Sequence, residues 1–241
     1  MIVAEPPPPP KSSARIDHLL IGALAPLGDK RAPSGIDKHP ARRRLKLGRE
    51  GFEGDFQGDR KNHGGPDKAA HHYPFEHYAT WRTEIGALPR LDQPGAFGEN
   101  FSTRGLDEDS VALGDVFRVG AALIEVSQGR QPCWKLNVRF AIPDMAMRVQ
   151  KSGRTGWYYR VLEDGFVAPG DELRLIDRRS PDWPISRLWR ALYVDSQNSE
   201  ELAAMAALAR LPDGWRRIAE RRLAMRTIED WSARLTGADP A

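Results

Sequence analysis

Val116-Phe117-Arg118-Val119 and Ala121-Ala122-Leu123-Ile124-Glu125-Val126-Ser127 flank a single glycine, Gly120, and read as two antiparallel strands joined by a tight turn. Runs of the same kind lie on both sides of this hairpin. Residues 16–24, 44–51 and 97–103 precede it, 156–162 and 172–176 follow it, and glycine and aspartate clusters separate them. Many short strands with irregular connections favour a closed or nearly closed barrel over a parallel sheet, because closure leaves no edge of unpaired backbone groups. Helices interrupt the strands rather than alternate with them. Pro74 suits the first turn of a helix reaching Gly86, with Phe75, Tyr78 and Trp81 near one face, and Pro143 introduces a shorter helix through Val149. The fold class is mainly β with α: a β-barrel with peripheral helices.

The pattern changes after Arg178-Arg179-Ser180-Pro181-Asp182-Trp183-Pro184. Amphipathic helical runs follow at 186–194, 199–210 and 213–223, with a last helical stretch at 224–235. The expected organisation is a disordered Pro-rich tail over 1–14, a barrel domain over 15–180 and a small C-terminal three-helix domain over 185–235. So short a bundle buries little core alone and should dock on the barrel or a partner. Leu188, Trp189, Leu192, Leu202, Met205, Leu208, Trp215 and Ile218 are its expected core.

The chain has 241 residues, 36 basic and 33 acidic, giving a net charge of +3 with no dominant basic block. That balance argues against a nucleic-acid polymer as partner, and Arg42-Arg43-Arg44 with Lys46 reads as a solvated face. No apolar stretch approaches the roughly 20 residues that cross a bilayer. The five prolines Pro6 to Pro10 lack the basic start and apolar run of a secretory signal. A single cysteine makes no intramolecular disulfide, so the expected setting is cytoplasmic, with no membrane partner.

That cysteine, Cys133, follows the hairpin's second strand in Ser127-Gln128-Gly129-Arg130-Gln131-Pro132-Cys133-Trp134-Lys135-Leu136. Most lone cysteines are small buried hydrophobes, but Arg130 and Lys135 would favour the thiolate, the form that acts as nucleophile or soft-metal ligand. Upstream, residues 59–71 combine a glycine turn with cations and other donors that could hold an anion such as a phosphate. His71, His72 and His77 match no closed zinc ligand set.

Four segments in order resemble the MOSC family, the molybdenum-cofactor sulfurase C-terminal domain family: His63-Gly64-Gly65-Pro66-Asp67-Lys68-Ala69, Gly98-Glu99-Asn100-Phe101-Ser102-Thr103, residues 127–133, and Ser152-Gly153-Arg154-Thr155-Gly156 through Leu162. Their order and the helical extension resemble its YiiM-like branch. The resemblance implies a MOSC-type barrel and molybdenum cofactor (molybdopterin), with Cys133 ligating molybdenum. It makes His63, Lys68, Asn100, Arg130 and Arg154 the candidates for holding the pterin and its phosphate, all lining one concave site. Glu99 could orient Lys68 or Arg154, or cap a turn; Arg160 could serve the site or pair with an acid such as Glu163.

The implied activity is reduction of N-hydroxylated small molecules such as 6-hydroxyaminopurine. The chain has no dinucleotide fingerprint and no iron–sulfur cysteine set, so electrons are expected from a separate reductase. Two other readings stand beside it: a sulfur-carrier or cofactor-maturation protein bearing a Cys133 persulfide, and a non-catalytic anion- or pterin-binding module. No cysteine or histidine follows Cys133. The appended helices are therefore expected to adjust access or partner docking, and a chain cut near Ser196 is expected to keep the site.

Overall fold

The computed structural model describes residues 13–58 and 64–238. His63 and most of the expected tail lie outside them. Ser13 and Ala14, assigned to the tail from sequence, instead open the first strand and pair with Arg174 and Leu173.

Seven strands close into a barrel: β1 (Ser13–Ile21), β2 (Ala70–Pro74), β3 (Phe101–Thr103), β4 (Asp115–Val119), β5 (Ala122–Gly129), β6 (Trp157–Glu163) and β7 (Glu172–Arg178). Around the barrel they run β1-β3-β2-β6-β5-β4-β7, and β7 returns to β1, so every strand has two neighbours. All neighbours are antiparallel except β2 and β3. On β5, Ala122, Ile124 and Val126 enter the core at the period of two that a pleated strand requires, against Ile16, Phe101, Phe117 and Tyr159.

Two differences from the sequence reading matter for the site. Ala70-His71-His72-Tyr73-Pro74 is a strand, so Pro74 ends it rather than opening the helix, which starts at Glu76; all five residues are buried, so the strand carries no polar–apolar alternation. The third strand starts at Phe101 instead of residue 97, because residues 95–99 form a turn organised by a fully buried Glu99. The Glu99 carboxylate accepts from the N–H groups of Gly95 at 2.7 Å and Phe97 at 3.1 Å, and from the Tyr78 hydroxyl. It caps this turn.

Helices α1 (Glu76–Ile85), α2 (Lys135–Phe140) and α3 (Met145–Ser152) cover one side of the barrel around an aromatic cluster that includes Tyr73, Trp81 and Phe97. Beyond the barrel, α4 (Ile185–Tyr193), α5 (Ser199–Ala206) and α6 (Asp213–Met225) form the appended unit, and α7 (Ser232–Thr236) follows it. Asn198 caps α5, its side-chain oxygen accepting from Glu200 and Glu201 N–H groups. Leu188, Leu202, Met205 and Trp215 belong to the same continuous apolar core as the barrel strands.

A charged hub joins the two units. Glu125, on β5 and fully buried, receives Arg160 at 2.7 Å, Arg179, and Arg210 at 3.7 Å. Arg160 also pairs with Asp67 at 2.7 Å and donates to the Arg210 carbonyl at 3.1 Å. It thus ties the loop before β2 to the helical unit and pairs with neither Glu163 nor a ligand site.

His72 points into the barrel, with Nε2 2.8 Å from Thr103 Oγ1 and Nδ1 3.0 Å from the Tyr159 hydroxyl. Burial pushes its pKa down to about 3. The native state therefore keeps His72 neutral while the unfolded chain protonates it below about pH 6.5, so stability falls as pH drops from about 6.5 towards 3. Each such group adds a slope of up to about 1.4 kcal/mol per pH unit. Denaturant unfolding between pH 7 and pH 4.5 should show this loss, and His72→Gln should flatten the slope by about that amount; an unchanged slope would mean that His72 charges in the native state.

Candidate functional site

A narrow cleft of about 80 Å³ opens beside the barrel, between the loops at 34–38 and 55–58 and the ends of β2, β5 and β6. Lys68, Asn100, Arg130 and Cys133, from three separate sequence motifs, all line it. Lys38, Asp55, His71, Lys135 and Tyr158 line it as well.

Cys133 is 5% exposed and stands two residues ahead of α2, whose first turn begins as Leu136 N–H donates to the Cys133 carbonyl at 2.9 Å. Arg130 leaves the end of β5, where its backbone N–H donates to the Gly156 carbonyl at 3.0 Å. The residue is 6% exposed, lines the cleft beside Tyr158, and has a buried Nη1 with no hydrogen-bond partner in the protein. Burial raises the Tyr158 pKa, so the hydroxyl stays protonated at neutral pH. Lys135 lies across the cleft and donates to the Pro33 carbonyl at 2.9 Å.

Lys68 ends a turn of 3₁₀-helix over Pro66–Lys68 that starts from Gly65 at φ 94°. The turn is pinned from two sides: Asp67 pairs with Arg160, and its carbonyl accepts from Ser127 Oγ at 2.6 Å. Asn100 has a different part. Its Oδ1 accepts from His71 N–H at 3.0 Å, and its Nδ2 donates to the Leu20 carbonyl at 3.0 Å and to Asp55 at 2.9 Å. Both amide protons are thereby used within the protein, so Asn100 braces the cleft rather than offering a donor to a ligand.

Lys38 forms an ion pair with Asp55 in the cleft wall, both side chains buried. Burial lowers the Lys38 pKa, and the Asp55 carboxylate opposes that shift. His71 is pushed well below its ordinary pKa by burial and then by the nearby Arg130 charge, so it is a neutral imidazole, with Nε2 3.4 Å from the Thr155 carbonyl. Four cations and one carboxylate line the cleft among the described residues. The balance favours an anionic ligand, and among the described residues Arg130 Nη1 is the buried side-chain donor there without a hydrogen-bond partner.

Arg154 does not reach the cleft. Its guanidinium pairs with Glu84 on α1 at 2.6 Å and lies 4.2 Å over the Trp81 ring. Tyr73 donates to the Arg154 carbonyl at 3.2 Å and stacks at 4.2 Å on Phe97, which lines the cleft. The motif placed Arg154 correctly in sequence, but a partner 70 residues upstream captures the side chain. Of the three histidines weighed for metal, His72 faces the barrel interior and His77 pairs with Glu108 at 2.8 Å. No group of three or more metal-ligating side chains occurs among the described residues.

The terminal helix α7 packs on the cysteine loop, which its distance in sequence had hidden. Arg234 donates to the Pro132 carbonyl and, at 2.5 Å, to Gln150 Oε1. Its own carbonyl accepts from Trp134 N–H at 2.8 Å, and Asn137 donates to the Leu235 carbonyl at 2.7 Å. The segment after α6 therefore clasps both ends of the turn that carries Cys133, beyond a mere adjustment of access.

Comparison with known proteins agrees with this architecture. The MOSC domain family matches residues 59–174, and the YiiM-like, 3-alpha helix domain matches residues 183–226. Protein YiiM of Escherichia coli is 43% identical over 209 residues, which cover 85% of this chain and 91% of that protein. The crystal structure of YiiM from Geobacillus stearothermophilus superposes with a TM-score of 0.74 at 32% identity, covering 87% of this chain and 99% of that one. A protein of Gibberella moniliformis named "Reductase" is 40% identical over 131 residues, 54% of this chain but only 23% of that much longer one. The closed barrel, its thiol-bearing cleft and the appended helices thus make this chain a member of the MOSC domain family, in the branch that carries a YiiM-like three-helix domain.

Proposed function

We propose that this protein is a molybdenum-cofactor-dependent reductase of N-hydroxylated compounds, hydroxylaminopurines such as 6-hydroxyaminopurine among them, supplied with electrons by a separate reductase. The observation that carries this reading is the pairing, in one cationic cleft, of a cysteine thiol with a buried arginine whose Nη1 has no protein partner. A soft thiolate suits a redox metal, and an unsatisfied buried guanidinium nitrogen suits the phosphate of a pterin. The residues present therefore fit the group that MOSC membership suggests, and the name of the Gibberella relative points the same way.

When bound, the molybdenum cofactor supplies two-electron chemistry at nitrogen-bound oxygen: R–NHOH with two electrons and two protons gives R–NH2 and water. The protein's part is placement and electrostatics. Cys133 offers the sulfur, and Arg130 offers a buried Nη1 that no protein group satisfies. Lys135, held on the Pro33 carbonyl, adds positive charge opposite. Asn100 and Asp55 tie the walls together, and Asp55 pairs with Lys38 in the cleft wall.

Protein from a cofactor-competent host should contain molybdenum and pterin, and turn over 6-hydroxyaminopurine with an artificial electron donor. Cys133→Ser, close to isosteric but a poor soft-metal ligand, should fold and lose turnover normalised to molybdenum. Arg130→Gln should lower cofactor retention by about tenfold or more, the worth of one charge-assisted hydrogen bond. Full turnover in folded Cys133→Ser, or sulfane sulfur on Cys133 without pterin, would overturn the proposal in favour of a non-thiolate mechanism or a sulfur carrier.

The clasp by α7 gives a second test, independent of loading. Arg234→Ala, or a chain ending at Asp230, should raise the rate of Cys133 alkylation by iodoacetamide by about tenfold, because the loop opens more often. Equal rates would show that the terminal helix does not restrain Cys133.

A further inference from the structure

The proposed reduction consumes two protons, and few groups in the cleft are suited to deliver one. Guanidinium groups do not release protons at working pH, which sets Arg130 aside. Burial keeps the Tyr158 hydroxyl protonated and His71 a neutral imidazole whose Nε2 faces the Thr155 carbonyl at 3.4 Å. The Asp55 carboxylate already accepts from Gly22 N–H at 2.8 Å and Asn100 Nδ2 at 2.9 Å, as well as from Lys38. Lys135 donates to the Pro33 carbonyl at 2.9 Å. Lys38 is placed differently.

Two glycines let the chain close around this lysine. A Cβ on Gly22 would lie 3.1 Å from Lys38 Cγ, and one on Gly95 would lie 2.6 Å from the Lys38 carbonyl oxygen. The ammonium bonds only Asp55 among the described residues, and that carboxylate takes at most two of its three protons. At least one N–H is therefore left over, on a residue that lines the cleft. Of the two side chains Lys38 is the more accessible, 8% exposed against 1% for Asp55. Three ionisable groups face it from other parts of the fold: Asp55, the buried Glu99 carboxylate and the neutral His71. Burial is the largest influence on Lys38 and pulls its pKa below the ordinary lysine value, against the pull of both carboxylates. An ammonium strained by burial and restored by a neighbouring carboxylate is suited to give a proton and take it back.

We propose that Lys38 is the general acid of the reductive step, its Nζ–H delivering a proton to the departing oxygen of the N-hydroxyl group while Asp55 holds the amine in place. The inference rests on the reductase reading and adds to it a catalytic residue supplied by this chain. As the N–O bond of R–NHOH breaks, the two electrons that the separate reductase supplies end on nitrogen. One Lys38 N–H bond breaks, an O–H bond forms, and the oxygen leaves as water instead of hydroxide. A second proton, from solvent, completes R–NH2, and solvent returns one proton to Lys38. The sum is R–NHOH with two electrons and two protons giving R–NH2 and water.

Lys38→Arg separates a proton donor from a structural cation, because a guanidinium keeps the charge beside Asp55 but does not give up a proton. In cofactor-loaded protein its kcat for 6-hydroxyaminopurine should fall by about 100-fold or more, with KM and molybdenum content little changed. The wild-type kcat should decline at alkaline pH as Lys38 loses its proton, and the variant should lack that limb. Lys38→Ala should show the same loss, and added ethylammonium should restore turnover in proportion to its protonated form. A second readout needs neither cofactor nor turnover. In cofactor-free protein carrying isotopically labelled lysine, the NMR signal of Lys38 Cε, assigned by its loss in Lys38→Met, should titrate below the ordinary lysine value, and Asp55→Asn should lower it further. Wild-type kcat in Lys38→Arg, no rescue of Lys38→Ala by ethylammonium, or titration of Lys38 at or above the ordinary value would each overturn the inference while wild-type turnover leaves the reductase reading standing. Loaded wild-type protein that fails to reduce 6-hydroxyaminopurine would instead overturn the reductase reading, and the role of Lys38 with it.

Discussion

The side-chain amide of Asn100 is the contact on which the cleft depends. It bonds the β1 backbone at Leu20, the β2 backbone at His71 and the carboxylate of Asp55. Because β2 and β3 run parallel here, their connection must leave the sheet and return, and Asn100 stands where it returns. Its amide draws β1, β2 and the loop carrying Asp55 to one point; Asp55 in turn holds Lys38 and accepts from Gly22 N–H at 2.8 Å. An asparagine suits this position because it is both donor and acceptor, whereas an aspartate would set a second carboxylate against Asp55.

Around that anchor the protein sorts its arginines by what they meet. Arg139 is saturated by the carbonyls of Gly95 and Ala96 and the carboxylate of Asp37, and Arg222 by Glu229 and the Leu192 carbonyl. Arg154 has a carboxylate and an aromatic face. Arg154 keeps a buried Nε without a hydrogen-bond partner, as Arg130 does at Nη1, but Arg130 alone of these four lines the cleft. A buried cation with an unsatisfied nitrogen is expensive for a fold to keep, and in the cleft an anion would relieve that cost.

The barrel was legible because its strands alternate and its turns are rich in glycine, as around Gly120. The strand β2 was not: two histidines and a terminal proline disguise a segment buried on both faces. Lys68, Asn100, Arg130 and Cys133 could be read from ordered motifs, yet the motifs do not say which way a side chain turns, and Arg154 turned to Glu84. Lys38, Asp55 and Tyr158 went unseen because loops and a strand end supply them, with neither periodicity nor a local partner to single them out. The contribution of α7 was hidden for the same reason, since Arg234 and Pro132 are 102 residues apart.

The Glu125 hub bears on how such a chain can be recombined. One carboxylate sealed in a barrel strand answers arginines from β6, from the segment after β7, and from the approach to α6. Arg160 and Arg179 answer it from the barrel side and Arg210 from the helical unit, so one carboxylate is shared across the boundary between the two units. A chimera that joined this barrel to helices from a distant relative would have to inherit the matching cation as well as the apolar contacts. The helical unit thus behaves less as a detachable appendix than as one half of a lock whose key is cut into the barrel.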